Sequence, residues 1–154
     1  MDRIMEIADK HKLFVIEDNA QGIGATFTNK DGLQTKTGGI GHVGSTSFFP
    51  SKNLGCYGDG GAIFTNDDDL AHTLRGVVNH GMYKRYHHDV VGVNSRLDSL
   101  QAVVLNEKLK LLDYYNERRK WAAIRYSQLL QNHSKIITPT TSGDCNSHVF
   151  HQYT

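Results

Sequence analysis

The chain has 154 residues, with 17 Lys and Arg against 16 Asp and Glu for a formal charge of +1, and is long enough for one domain with a core. Its scattered basic residues leave no electrostatic footprint for nucleic acid. No apolar run nears the roughly 20 residues of a transmembrane helix, and the N-terminus lacks the apolar core of a signal peptide. Cys56 and Cys145 have no CxxC spacing and make no disulfide framework, so a reducing cytoplasm is the expected compartment. In chain order, "DRIMEIADKHK" sets Ile4, Ile7 and Ala8 between charges and predicts an amphipathic helix. "LFVIED" follows as a strand buried on both faces, the αβ step of a parallel sheet. Residues 29–41 form a polar, glycine-rich loop or loose hairpin. Strands are expected near 43–49 and 61–65, then a helix over "DDDLAHTLRGVVNH" with an acidic first turn. From Ser95 the apolar residues Leu97, Leu100, Val104, Leu111, Tyr115, Ala122, Tyr126 and Leu129 predict one long helix. Ser95 and Asp98 form its capping box, and a bend is expected around Tyr114–Asn116. "HVFHQYT" reads as a strand that stops without a cap or turn, and the chain opens inside a helix. Both features are those of a piece of a longer protein.

Two motifs invite readings that their context does not support. His87–His88 and the HxxH of His148 and His151 resemble metal ligands, but neither set has a carboxylate or cysteine at ligand spacing. Polar surface or interface histidines are the expectation, with no metal. Residues 39–44, "GIGHVG", match GxGxxG, with Asp59 downstream. That motif grips a pyrophosphate only when a strand precedes it and a helix N-terminus follows. Here a loop precedes and a strand follows, so no dinucleotide site is expected.

Asp18 ends an apolar strand, and ligands of open parallel sheets bind outside the carboxyl ends of strands. Since Glu17 and Asp18 alternate in direction, only one can face that crevice. Ala20 is small enough to admit a flat ligand, and Gln21 offers an amide; Asp18 reads equally well as the start of a turn or a helix cap. Lys52 sits at the mouth of the next expected strand, in "STSFFPSKNLGCYGDGG", five residues after the Ser47 hydroxyl and before a run of glycines. A lysine near glycines is ordinarily a solvated loop residue. Opposite a carboxylate it acquires a second reading, because pyridoxal phosphate requires an amine for its aldehyde and an anion for its pyridine nitrogen.

The stretches "VIEDNAQGIGA", "GSTSFFPSKNLGCYGDGGAIFTND" and "GVNSRLDSLQAVVLNEKL" closely resemble the DegT/DnrJ/EryC1/StrS nucleotide-sugar aminotransferases. The resemblance implies an α/β fold: part of the large domain of a fold-type I, aspartate aminotransferase-like pyridoxal phosphate enzyme. A long helix would lead toward a small α+β domain. Residues 1–94 would belong to the cofactor-binding large domain, and 95–154 to the connecting helix and the start of the small domain. The resemblance further implies that Lys52 is the Schiff-base lysine and Asp18 the partner of the pyridine nitrogen. Ala20 would lie against the ring, Gln21 near its phenolic oxygen, and Ser47 on the phosphate. Asn94 matches an asparagine that reaches the phosphate from a partner subunit, which implies a homodimer. Lysine where the sugar 3-dehydratase branch has histidine points to transamination, with glutamate as donor and a nucleotide-linked keto-sugar as acceptor. "NHGMYKRYHHDVVGVNSRLDSLQ" leans toward members acting on 3-keto sugars. Family members are more than twice this length, so a 154-residue piece is expected to be inactive alone. A non-catalytic dimerisation or regulatory module of the same fold is the alternative.

Overall fold

A computed structural model of the chain describes residues 1–141 and 147–154; Cys145 lies outside the described residues. Helix α1 (Asp2–His11) ends on Lys12 in the left-handed region, with φ 54°, where the Lys12 N–H closes on Asp9 O and the Leu13 N–H on Ala8 O. The chain then enters β1 (Ile16–Asp18), which pairs in parallel with β4 (Val43–Ser47), setting Asp18 opposite Ser45. Strand β5 (Gly61–Phe64) runs antiparallel on the other side of β4, giving the order β1-β4-β5. The predicted parallel αβ step is therefore present. The expectation that β1 is buried on both faces is not met: Ile16 is 72% exposed and Phe14 82%, because β1 is an edge strand whose outer side nothing described covers.

Between β1 and β4, residues 26–36 form a hairpin of β2 (Thr26–Thr28) and β3 (Gln34–Lys36). Its turn is closed by Asn29 Oδ1, which accepts from the N–H groups of Asp31 and Leu33. The hairpin alternative for this region holds. Helix α2 (Asp68–Val78) begins where its acidic start predicts, capped by Asp67, whose Oδ1 accepts from the Leu70 N–H at 2.9 Å. A short hairpin of β6 (Met82–Lys84) and β7 (His87–His88) follows.

The segment after Ser95 departs from expectation in three ways. Ser95 caps nothing: its N–H donates to Val78 O, and the neighbouring Asn94 bridges Asn79, so this stretch runs extended along the end of α2. The helix starts at Ser99 after Asp98, which makes no side-chain cap. It is also two helices, α3 (Ser99–Leu109) and α4 (Leu112–Leu130), broken at Lys110–Leu111 rather than bent at Tyr114–Asn116. Leu105 and Leu112, seven residues apart, both enter the core, so the apolar spacing runs unbroken across a break it cannot reveal. The buried side is Leu105, Leu112, Asn116 and Ala123, one residue on from the predicted stripe of Val104, Leu111, Tyr115 and Ala122.

Residues 148–154 form no strand. Phe150 has φ 45°, which an extended strand cannot accommodate, and Val149 is buried. The core consists of Phe48, Leu54, Cys56, Leu105 and Leu112, flanked by Ile23 and Ala62. It draws from both sides of residue 94 and lies directly under the loop that carries Lys52.

Candidate active site

The two adjacent carboxylates of β1 separate cleanly. Glu17 turns back into the protein, where its Oε1 accepts from the N–H groups of Ile40 and Gly41, each at 2.6 Å, and its Oε2 from Gly38 at 2.8 Å. The GIGHVG loop thus holds an anion, but the anion is the protein's own carboxylate, and the loop leads into β4 rather than a helix. That leaves Asp18 facing outward at the strand end. Its Oδ1 accepts from the Ala20 N–H at 3.1 Å, so it does initiate a turn, while the residue stays exposed.

The turn after Asp18 is tightly anchored. The Asn19 N–H extends the ladder to Ser45 O, its buried side chain exchanges hydrogen bonds with Thr37, and its carbonyl accepts from Thr46 Oγ1. A side chain at Gly38, which has φ +88°, would collide with Asn19. Ala20 is half-buried and Gln21 exposed on this turn.

Ser47 is the last residue of β4, two beyond the partner of Asp18. Since β1 and β4 are parallel, Asp18 and Ser47 share the carboxyl edge of the sheet. Ser47 Oγ accepts from the Phe49 N–H at 3.2 Å. The loop beyond is pinned at its base: Phe48 N–H to Gly60 O, Cys56 N–H to Phe48 O, and the fully buried Cys56 thiol within reach of Phe48 O and Gly58 O. Gly55 is required where it stands, because a Cβ there would strike the carbonyls of Phe49 and Pro50.

Both later helices grip this loop. From α3, Gln101 Oε1 accepts from the Tyr57 N–H, and Lys108 Nζ donates to Gly55 O while lying over the Tyr57 ring. From α4, Asn116 Oδ1 accepts from Asn53 Nδ2 at 2.7 Å, and Arg119 Nη2 donates to Ser51 O at 3.5 Å while its Nη1 donates to His151 O of the C-terminal segment at 3.1 Å. Sequence reasoning missed these residues.

Lys52 itself is half-buried and lines a cavity of about 520 Å³ with Lys108, Tyr115, Arg118 and Arg119, whose walls carry no carboxylate. Burial, with the positive charges of Lys52 and Arg119, holds the His151 pKa below the usual histidine value. Asp18 is not among the walls of this cavity, and among the described residues no ion pair joins it to Lys52. Asn94 stands apart, exposed on a separate cleft with Asp59 and Asp98, its Oδ1 accepting from Arg96 Nε. The structure thus brings Asp18, Ala20, Gln21 and Ser47 to one sheet edge, with Lys52 on the loop leaving that edge and Asn94 elsewhere. The histidine pairs remain separate features: the His148 ring packs on Phe150, and His88 Nδ1 lies 2.8 Å from His80 O.

A parallel strand pair with an acidic group, a hydroxyl and a lysine at its carboxyl edge defines a class of α/β ligand-binding domains. Within that class the comparisons are specific. The model of the DegT/DnrJ/EryC1/StrS aminotransferase family matches residues 1–154, and the chain belongs to that family. It is 46% identical over its whole length to the pleiotropic regulatory protein of Geobacillus stearothermophilus, covering 40% of that protein. It is 48% identical, over 99% of its own length and 41% of the relative's, to the UDP-2-acetamido-2-deoxy-3-oxo-D-glucuronate aminotransferase of Pseudomonas aeruginosa. Among solved structures, Streptomyces venezuelae DesV in complex with a ketimine intermediate matches with a TM-score of 0.89 at 41% identity, over 99% of this chain and 40% of that one. NtdA from Bacillus subtilis with bound cofactor PMP matches with a TM-score of 0.82 at 35% identity, over 99% and 34%. The fold is accordingly part of the large domain of a fold-type I enzyme, and the chain spans about 40% of the length of the curated relatives it matches.

Proposed function

We propose that the full-length protein is a pyridoxal phosphate-dependent aminotransferase that moves an amino group from glutamate to a nucleotide-linked 3-keto sugar, in amino-sugar or surface-polysaccharide biosynthesis. The observation that carries this reading is the shared carboxyl edge of β1 and β4, with Asp18 and Ser47 at the strand ends and Lys52 on the loop beyond. The residues suit the cofactor. Glu17 is already occupied by the 38–41 loop, which leaves Asp18 as the exposed carboxylate of the pair, and Lys52 has no carboxylate among its cavity walls.

When bound, the cofactor supplies an electron sink that makes the amino donor's α-hydrogen acidic. Lys52 would anchor it through Nζ and, as a free amine, act as the acid–base that takes the proton from the donor's α-carbon. Asp18 would accept a hydrogen bond from the pyridine nitrogen and keep it protonated. Ser47 would donate to the phosphate, Ala20 would let the ring lie close, and Gln21 would hydrogen-bond the phenolic oxygen. Asn94 would reach the phosphate of a second subunit, which makes the working unit a homodimer. Residues 1–94 then belong to the large domain, and 95–154 lead to the small one. A cytoplasmic location fits this chemistry; among the described residues no helix is long and apolar enough to cross a membrane.

The test is borohydride reduction of the cofactor-loaded full-length protein, followed by peptide mass mapping. The cofactor mass is expected on Lys52. Label on another lysine refutes the assignment. A protein that takes up no cofactor supports the second reading, a non-catalytic regulatory or dimerisation module, which the name of the Geobacillus relative favours.

A further inference from the structure

We infer that Asn116 is a positioning residue that locks the loop bearing Lys52 to the turn bearing Asp18; the inference rests on the function proposed above. Asn116 is on α4 and is only 9% exposed. Its Oδ1 accepts from Asn53 Nδ2 at 2.7 Å, and its Nδ2 donates to Ile23 O at 3.1 Å. Asn53 adjoins Lys52, and Ile23 lies in the turn that follows Asp18 and carries Ala20 and Gln21. One carboxamide therefore bonds both segments, using its acceptor for one and its donor for the other. Asn53 also donates to Val149 O at 2.9 Å, which ties the C-terminal segment to the same point.

The neighbouring backbone is shaped around this amide. Gly24 has φ +89°, and a Cβ there would overlap Asn116 Nδ2, so the turn approaches α4 this closely because position 24 has no side chain. The chemistry of the position is also restrictive. Aspartate has the same shape and can still accept from Asn53, but it cannot donate to Ile23 O and would set a negative charge against that carbonyl. Neither carboxamide touches the proposed reacting atoms. Their effect on the reaction would come from the distance they set between an amine and a carboxylate that make no direct contact, and small misplacements of reacting groups cost large factors in rate.

The experiment compares Asn116→Asp and Asn53→Ala with wild type in the full-length protein, first without cofactor by amide hydrogen exchange and then loaded by steady-state kinetics. Asn116→Asp is expected to speed exchange about tenfold or more in 20–25, where the bond to Ile23 O is lost, leaving 50–55, β4 and β5 as protected as before. Asn53→Ala is expected to loosen 50–55 alone. In both variants kcat falls about 10–100-fold while KM stays within about threefold. Wild-type exchange in both segments, a uniform rise through β4 and β5, or an unchanged kcat overturns the inference. If Asn116→Asp does not fold, Asn53→Ala decides by the same criteria at 50–55. Failure of the aminotransferase reading is separable, since wild type would then show no turnover while the exchange pattern stood.

Discussion

Replacing Glu17 by glutamine tests the most unusual feature of the sheet edge. The change keeps the shape and removes the charge. In the wild-type protein Oε1 takes two backbone N–H groups at 2.6 Å and Oε2 takes a third, from Gly38, at 2.8 Å. A glutamine oxygen in the Oε1 position retains the first two as neutral bonds, at a cost of about 0.5–1 kcal/mol each for the lost charge assistance. Its amide nitrogen must then face the Gly38 N–H, donor to donor, and Gly38 is buried. A buried donor left unsatisfied costs about 1–3 kcal/mol. Flipping the amide leaves Ile40 and Gly41 without an acceptor and is worse. The sum is about 2–5 kcal/mol, to be read as a lowered denaturation midpoint of the full-length protein without cofactor, with faster amide exchange at 38–41. A Glu17→Gln protein within about 0.5 kcal/mol of wild type would refute the anion-in-loop reasoning, because that is the range of a surface substitution.

Asp18→Asn should keep the fold and the turn, since an amide oxygen can still accept from Ala20. Loss of an anion worth about 1.5–3 kcal/mol to the protonated ring should slow proton abstraction by about 10–100-fold. Near-normal turnover would reduce Asp18 to a turn residue. A polypeptide of these 154 residues alone is expected to show no glutamate half-reaction and to self-associate in light scattering through exposed residues such as Phe14 and Ile16; robust conversion of glutamate to 2-oxoglutarate would contradict this. The lowered pKa of His151, due first to burial and then to Lys52 and Arg119, has a defined sign. Above about pH 6.5 the imidazole is neutral in both folded and unfolded chains and contributes nothing. As pH falls through that value the unfolded chain takes up a proton that the folded one resists, so stability drops until the folded pKa is passed. The denaturation midpoint should therefore fall less between pH 7.5 and 5.5 in His151→Asn than in wild type.

Features encoded locally were legible in the sequence. The acidic start of α2, capped by Asp67, the strands flanking the Lys52 loop and the αβ step into β1 depend on neighbours a few residues apart, and so does the order of motifs that marks the family. The sequence also showed that only one of Glu17 and Asp18 could face the crevice, because strand side chains alternate. Which one did was decided by Gly38, Ile40 and Gly41, more than 20 residues away. Likewise the periodicity after Ser95 revealed helix but not its break at Lys110–Leu111, nor that the buried face lies one residue on from the apolar stripe. On α4 that face includes Asn116, which a hydrophobic pattern excludes from the core and which the core admits because Asn53, 63 positions earlier, and Ile23, 93 positions earlier, satisfy its amide. A hydrogen bond across such a separation leaves no local trace, since either partner alone looks like an ordinary surface asparagine. Only the packing of α4 against both loops makes burying it favourable.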